Sequence, residues 1–281
     1  MSSSPSEAVL ITGCSTGIGR ATAEYLASKG HTVYATARRA ESIADLEQAG
    51  CRTLALDVTD EASMAAAVRT VEEAEGAVGV LVNNAGYTQS GAVESVSIED
   101  ARRQFETNVF GLVRMSQLVL PKMREQKWGR IVNVSSMGAN FVFPGGGMYH
   151  ATKWAVDALS DAMRFEVKGF GVDVVIVQPG LIRTEFGHTG ATETPADDGP
   201  YAEFNAHVAQ QTSDVYEKGP MSKLAVGPEA VAKAIEKAIR KPKARVRVPA
   251  SSMLMIGQRR IMSDGMWDRM MRTQFPTPGK S

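Results

Sequence analysis

The stretch Ala8-Val9-Leu10-Ile11-Thr12-Gly13-Cys14-Ser15-Thr16-Gly17-Ile18-Gly19 decides how the chain is read. A short apolar run enters a glycine-rich turn, and an amphipathic segment near 17–29 begins at once. Such a pattern is a buried strand feeding a helix, through a turn whose glycines let the backbone come close to a ligand. Free N–H groups and the dipole at the start of that helix favour an anion, and a dinucleotide pyrophosphate supplies one. The spacing is Gly-x3-Gly-x-Gly rather than Gly-x-Gly-x2-Gly, so Gly13, Ser15, Thr16, Gly17, Ile18 and Gly19 are expected to line a dinucleotide site of a variant type.

Six more short apolar runs follow, at 32–35, 53–56, 78–82, 130–134, 172–177 and 245–248. They are mostly continuous rather than alternating, as in parallel strands buried on both faces. Helical periodicity near 60–75, 98–126, 149–169 and 227–240 supplies the crossovers. The expected fold class is α/β: a single doubly wound Rossmann-type domain over 1–250, with a seven-stranded parallel sheet, helices on both faces, and ligands beyond the carboxyl ends of the strands. Residues 183–225, rich in Gly, Pro, Thr and Asp with a helix near 201–218, read as a lid. Residues 251–281 form a Met-rich C-terminal extension, expected to pack on the domain as a helix or to contribute to an apolar pocket or a subunit contact.

Composition removes several classes. Acidic and basic residues balance at 31 each, and no basic stretch has interleaved aromatics, so nucleic acid is not expected as a partner. No apolar run approaches the roughly 18 residues of a membrane span, and the first residues lack the charged-then-apolar pattern of a secretory signal, which predicts a cytoplasmic protein. Cys14 and Cys51 lack metal-ligand spacing and read as reduced thiols in or near a core; no metal is implied.

The second strand runs into Arg38-Arg39, where an NAD site would place an acid for the ribose hydroxyls. A guanidinium at Arg38 suits a 2′-phosphate, so NADP(H) is expected in preference to NAD(H), with Arg39 either an aid or a surface charge. Asp57, with Val58 beside it, contacts adenine, or else the segment Asp57-Val58-Thr59-Asp60 caps the next helix. After the fourth strand comes Asn83-Asn84-Ala85-Gly86, small and amide-rich, suited to lie under a ribose and to tie strands together.

Two Tyr-x3-Lys pairs occur, Tyr25 with Lys29 and Tyr149 with Lys153. A phenol ordinarily titrates near pH 10, too high for efficient proton exchange at neutral pH, and a nearby ammonium favours the phenolate. Tyr149 opens the helix after the fifth strand, so both it and Lys153 can point to the ligand end of the sheet.

Taken in order, 12–19, Asn83 to Gly86, Asn108, Ser135-Ser136, Tyr149 to Lys153, and Pro179-Gly180 with Thr184 resemble the short-chain dehydrogenase/reductase family from about residue 8 to 248. The sequence is most similar to the 17β-hydroxysteroid and retinol dehydrogenase branch, in Tyr34-Ala35-Thr36-Ala37-Arg38 and the long tail. The resemblance selects Tyr149, thirteen positions after Ser136, over Tyr25. It implies that Tyr149 exchanges the proton of a small-molecule alcohol or carbonyl substrate. Ser136 then orients the substrate oxygen, Lys153 holds the nicotinamide ribose, and Asn108 supports a water leading to solvent. Pro179, Gly180 and Thr184 bracket the nicotinamide, and a homo-dimer or homo-tetramer packs through the helices near 98–126 and 149–169. Phe141, Phe143, Met148, Leu181 and Phe186 flank these motifs and can line an apolar pocket for a moderately large substrate. His150 is expected to point elsewhere, with no catalytic role. A redox sensor that binds dinucleotide without turnover would lack one of Ser136, Tyr149 and Lys153, and all three are present. An epimerase or dehydratase on the same scaffold would need further acid–base groups, and none can be placed.

Overall fold

A computed structural model describes residues 4–184, 192, 194–195, 199–214 and 225–279. Seven strands form one sheet: β1 (Val9–Ile11), β2 (Val33–Ala37), β3 (Arg52–Ala55), β4 (Val80–Asn83), β5 (Gly129–Val134), β6 (Val172–Pro179) and β7 (Arg245–Val248). Their order is β3-β2-β1-β4-β5-β6-β7 and every pairing is parallel. The order reverses between β1 and β4, which opens a crevice beyond their carboxyl ends.

The continuous apolar runs have a direct cause: successive side chains of a strand point to opposite faces, and both faces are covered. Val9 and Ile11 join Val82, Val132 and Val175 on one face, under α1 (Gly17–Ser28) and the late helix Pro228–Arg240. Leu10 joins Leu81 and Ile131 on the other, under α2 (Glu61–Glu75) and the helix Gly111–Glu125. Cys14 and Cys51 are buried free thiols, pushed up to about 12 and about 11 by desolvation and therefore protonated.

The single helix expected near 98–126 is interrupted. α3 (Ile98–Phe105) passes through a π-helical turn at Glu106–Phe110 before α4 (Gly111–Glu125) begins. The widened turn carries the buried Asn108, and its one-residue insertion is invisible to a periodicity argument. A 3₁₀ segment at Ala40–Glu47, also not expected, docks Ile43 and Leu46 onto the core. α5 (Gly147–Glu166) starts two residues before Tyr149.

Of the expected lid, α6 (Ala202–Asp214) stands where a helix near 201–218 is read; most of 185–198, with Phe186, and 215–224 lie outside the described residues. Ile182 bridges Val226 at the root of that segment, just before α7 (Pro228–Arg240). The C-terminal extension folds as two helices, α8 (Ser252–Ile261) and α9 (Asp264–Arg272), the second capped by Ser263 Oγ, which accepts from Met266 N. Ile256, Trp267 and Met271 pack on Met137 and Phe141 of the domain. Among the described residues no helix is long and apolar enough to cross a membrane.

Candidate active site

The turn after β1 is stitched to the end of β4 by two side chains. Thr12 Oγ1 accepts from the backbone N–H groups of Asn84 and Ala85, both at 3.0 Å. Asn84 Nδ2 donates to the carbonyls of Thr12 and Gly13 at 3.0 and 2.9 Å. The backbones approach so closely that a Cβ on Gly13 would stand 2.9 Å from Ala85 Cα, and one on Gly19 would stand 2.1 Å from Gly13 O. Gly19 therefore seats α1 on the turn, whereas Gly13, Ser15, Thr16, Gly17 and Ile18 line a cavity of about 1100 Å³. Asn84, Ala85 and Gly86 form the opposite side of the same cavity. Asn84 thus serves the turn itself, and Thr12, though quoted in the motif, is the structural partner that spacing alone did not single out.

Arg38 reaches the cavity rim and, among the described residues, has no ion-pair partner; Arg39 does not line the cavity. Asp57 and Val58 also line it. Asp57 Oδ1 accepts from Thr59 N and Oγ1 at 2.9 and 2.7 Å, which fixes the turn after β3. Helix capping falls to Asp60, whose Oδ1 accepts from Ala62 N and Ser63 N.

At the other end of the cavity, α5 brings Tyr149 and Lys153 to the wall one turn apart, with the Lys153 ammonium 5.7 Å from the Tyr149 ring centre. Lys153 is buried and Nζ donates to Val134 O at 3.0 Å. Burial pulls its pKa down to about 8, opposed by the negative charge of Asp157 one turn further along α5. Gln178 Nε2 and Arg245 hold Asp157 from β6 and β7, at 2.7 and 3.3 Å. Ser136 caps the 3₁₀ turn Met137–Ala139, and its Oγ accepts from Gly138 N at 3.0 Å. The adjacent Ser135 turns inward, toward the Lys153 carbonyl at 3.4 Å.

Asn108 stands behind the wall rather than in it. Its Oδ1 accepts from Tyr87 N at 3.0 Å, and Nδ2 donates to Tyr87 O and Thr152 Oγ1 at 2.9 and 3.1 Å. The open space at Gly86 separates it from the ammonium: a Cβ there would lie 3.0 Å from Asn108 Oδ1 and 3.8 Å from Lys153 Nζ. Pro179, Gly180 and Thr184 line the cavity, and Thr184 Cγ2 comes within 3.2 Å of the position a Cβ would take on Gly17.

His150 departs from the sequence expectation. It is buried at the cavity wall, with Nδ1 2.8 Å from Gly138 O and Nε2 accepting from Phe143 N at 3.3 Å. Burial lowers its pKa from the ordinary imidazole value, which keeps it neutral.

Phe141, Phe143 and Leu181 line the cavity as anticipated, and Met148 does not. The extension adds Met255, Trp267, Met270, Met271 and Phe275, so it both packs on the domain and walls the cavity. Trp267 Nε1 donates to Val142 O at 3.2 Å, and its ring stacks on Phe143 with centroids 6.1 Å apart. Nothing in the Met-rich sequence distinguishes the two roles, because one helix can bury one face in a cavity and the next in a core.

The family model described as short chain dehydrogenase matches residues 7–194. A 3-ketodihydrosphingosine reductase of Bacteroides thetaiotaomicron is 41% identical over 179 residues, 63% of this chain and 65% of the relative. An NADPH-dependent 3-dehydrocapnine reductase of Ornithobacterium rhinotracheale is 34% identical over 92% of this chain and 94% of its own length. The crystal structure of a short-chain dehydrogenase from Streptomyces avermitilis superposes with a TM-score of 0.78 at 33% identity, covering 96% of both chains. The chain belongs to the short-chain dehydrogenase/reductase family and is an oxidoreductase.

Proposed function

We propose that the protein interconverts an alcohol and a ketone or aldehyde by hydride transfer with NADP(H), on a moderately large apolar small-molecule substrate. The observation that carries this reading is the buried Lys153 ammonium beside Tyr149, at the end of a cavity that begins in the glycine turn. NADP(H), when bound, supplies or accepts the hydride. The residues present fit it: the turn offers backbone N–H groups at the start of α1, and Arg38 is a cation at the rim with no ion-pair partner among the described residues.

In the reductive direction Tyr149 gives its phenolic proton to the substrate oxygen as the carbonyl carbon gains hydride, yielding the alcohol; oxidation reverses both transfers. Ser136 already accepts from Gly138 N, which leaves its hydroxyl proton to donate to the substrate oxygen. Lys153 holds the cofactor ribose and favours the phenolate by its charge. Asn108, fixed by Tyr87 and Thr152, faces the space next to the ammonium through which Lys153 is resupplied with protons by water. The family's small-molecule chemistry and the NADPH-dependent relative support the reading. It is tested with a panel of ketones, aldehydes and alcohols against each cofactor. Tyr149→Phe should lose turnover by about 10²- to 10⁴-fold with cofactor affinity nearly unchanged, while Tyr25→Phe stays active. Equal losses in the two variants would overturn it.

A further inference from the structure

The hydroxyl of Ser136 is held by a backbone group, and that group is itself held by a buried imidazole. Gly138 N–H donates to Ser136 Oγ, and Gly138 O faces His150 Nδ1 at 2.8 Å. A carbonyl only accepts, so Nδ1 carries the proton. The other ring nitrogen is then bare and accepts from Phe143 N–H at 3.3 Å. Both bonds are satisfied by one neutral tautomer, and desolvation favours neutrality.

The fit leaves no slack. A Cβ on Gly138 would lie 2.5 Å from His150 Nδ1, and one on Gly146 would lie 2.7 Å from its Cδ2. The ring also contacts its neighbours on both sides, with centroids 5.8 Å from Tyr149 and 6.1 Å from Phe143. One side chain therefore joins the turn that carries Ser136 to the loop that carries Phe143, next to the tyrosine.

We propose that His150 is a positioning residue with two separable outputs: through Gly138 it sets where Ser136 presents its proton, and through Phe143 it sets the apolar wall that selects the substrate. This rests on the dehydrogenase/reductase reading above. Oriented polar groups lose effect steeply with small displacements, so the first output governs kcat; the second governs KM for large substrates.

Replacement by amides separates the outputs. In His150→Asn the amide nitrogen occupies the Nδ1 region and can still donate to Gly138 O. In His150→Gln the amide oxygen reaches the Nε2 region and can still accept from Phe143 N–H. His150→Leu keeps bulk and loses both.

The measurement is the turnover of methyl ketones, from butanone to long-chain alkanones, followed by loss of NADPH, with NADPH binding titrated separately. His150→Leu should lower kcat by about 10- to 100-fold and raise KM for the long ketones, with NADPH affinity within about twofold of the native protein. Asn should restore kcat but not KM, and Gln should restore KM but not kcat. In a Ser136→Ala background, His150→Leu should lower kcat no further, because the group it positions is gone.

Native kcat in the Leu variant would refute the proposal, as would losses that multiply with Ser136→Ala. If the Leu variant does not fold, the Asn and Gln variants decide, and identical kinetic profiles in those two refute it. A Tyr149→Phe protein with native turnover would instead remove the catalytic reading itself, whatever the His150 series gives.

Discussion

Asn83 of β4 donates through Nδ2 to Asn133 Oδ1 of β5 at 2.9 Å, across the middle of the sheet. Asn83 also donates to Ser116 Oγ of α4 at 3.2 Å, and Asn133 Nδ2 donates to Ser160 Oγ of α5 at 2.8 Å. The four buried groups lie on the one face of the sheet that α4 and α5 cover, and they fasten the helix that presents Tyr149 and Lys153. Asn133→Leu leaves one N–H of the buried Asn83 amide without its partner and removes the donor to Ser160 Oγ, which keeps its own bond to Val156 O; a buried group left unsatisfied costs about 1–3 kcal/mol. Denaturant unfolding should show a midpoint lowered accordingly, with the slope unchanged. A variant of native stability would mean that the chain of bonds is dispensable.

On the proposed reading, the charge of Arg38 selects the cofactor. The native protein should bind NADPH more tightly than NADH. Arg38→Ala removes a charge-assisted bond to the 2′-phosphate, worth about 1.5–3 kcal/mol, so NADPH affinity should fall by about 10- to 100-fold while NADH is little affected. Adding Ala37→Asp in that background should favour NADH, because a carboxylate repels the phosphate and accepts from free ribose hydroxyls. Equal affinity of the native protein for both dinucleotides would reduce Arg38 to a surface charge.

Lys153 gives a pH dependence whose sign follows from its environment. Burial lowers its pKa to about 8, so the ammonium is present at neutral pH and is lost as pH rises through that value. A neutral amine makes weaker bonds to a ribose. NADPH affinity, titrated by fluorescence, should therefore drop by roughly 2- to 10-fold across pH 8. Lys153→Arg, which stays charged, should flatten that limb even though its planar fork supports turnover poorly. An alkaline limb that persists in the Arg variant would assign it to another group.

The extension can be probed without removing it. Cutting the chain after Ala250 would uncover Phe141, only 2% exposed, and lose a packed cluster along with the pocket wall. Met270 is half-buried and lines the cavity, so Met270→Ala is the cleaner change. KM for long methyl ketones should rise about 10-fold while that for butanone stays near native. A uniform change across the series would show that the side chain supports packing rather than substrate.

The seven strands were legible because burial on both faces leaves continuous apolar runs at Val9 to Ile11 or Val80 to Val82, a pattern that needs no long-range information. The glycine turn was legible for a similar reason, since its requirements are local. The π-helical turn at Asn108 was not, because the energy that holds one extra residue in a helix comes from Tyr87 and Thr152, distant in sequence. His150 was misread for the same reason. Its helical position gives a direction, but Gly138 and Phe143 arrive from loops that no periodicity locates.

The two Tyr-x3-Lys pairs divide what sequence determines from what tertiary structure decides. Helix geometry alone brings each lysine over its tyrosine, and the local result is nearly the same: Lys29 Nζ lies 5.3 Å from the Tyr25 ring centre and Lys153 Nζ 5.7 Å from that of Tyr149. Sequence fixes that contact in both, and the order of motifs indicates which one resembles a reaction centre. The difference in chemistry arises only on folding. Lys29 ends α1 in solvent and is screened, whereas β5 and α5 enclose Lys153, bond it to Val134 O and aim it into the cavity. Charge acts strongly on a neighbouring phenol only where water is excluded, and exclusion of water is a property of the packed sheet and helices rather than of any five-residue stretch.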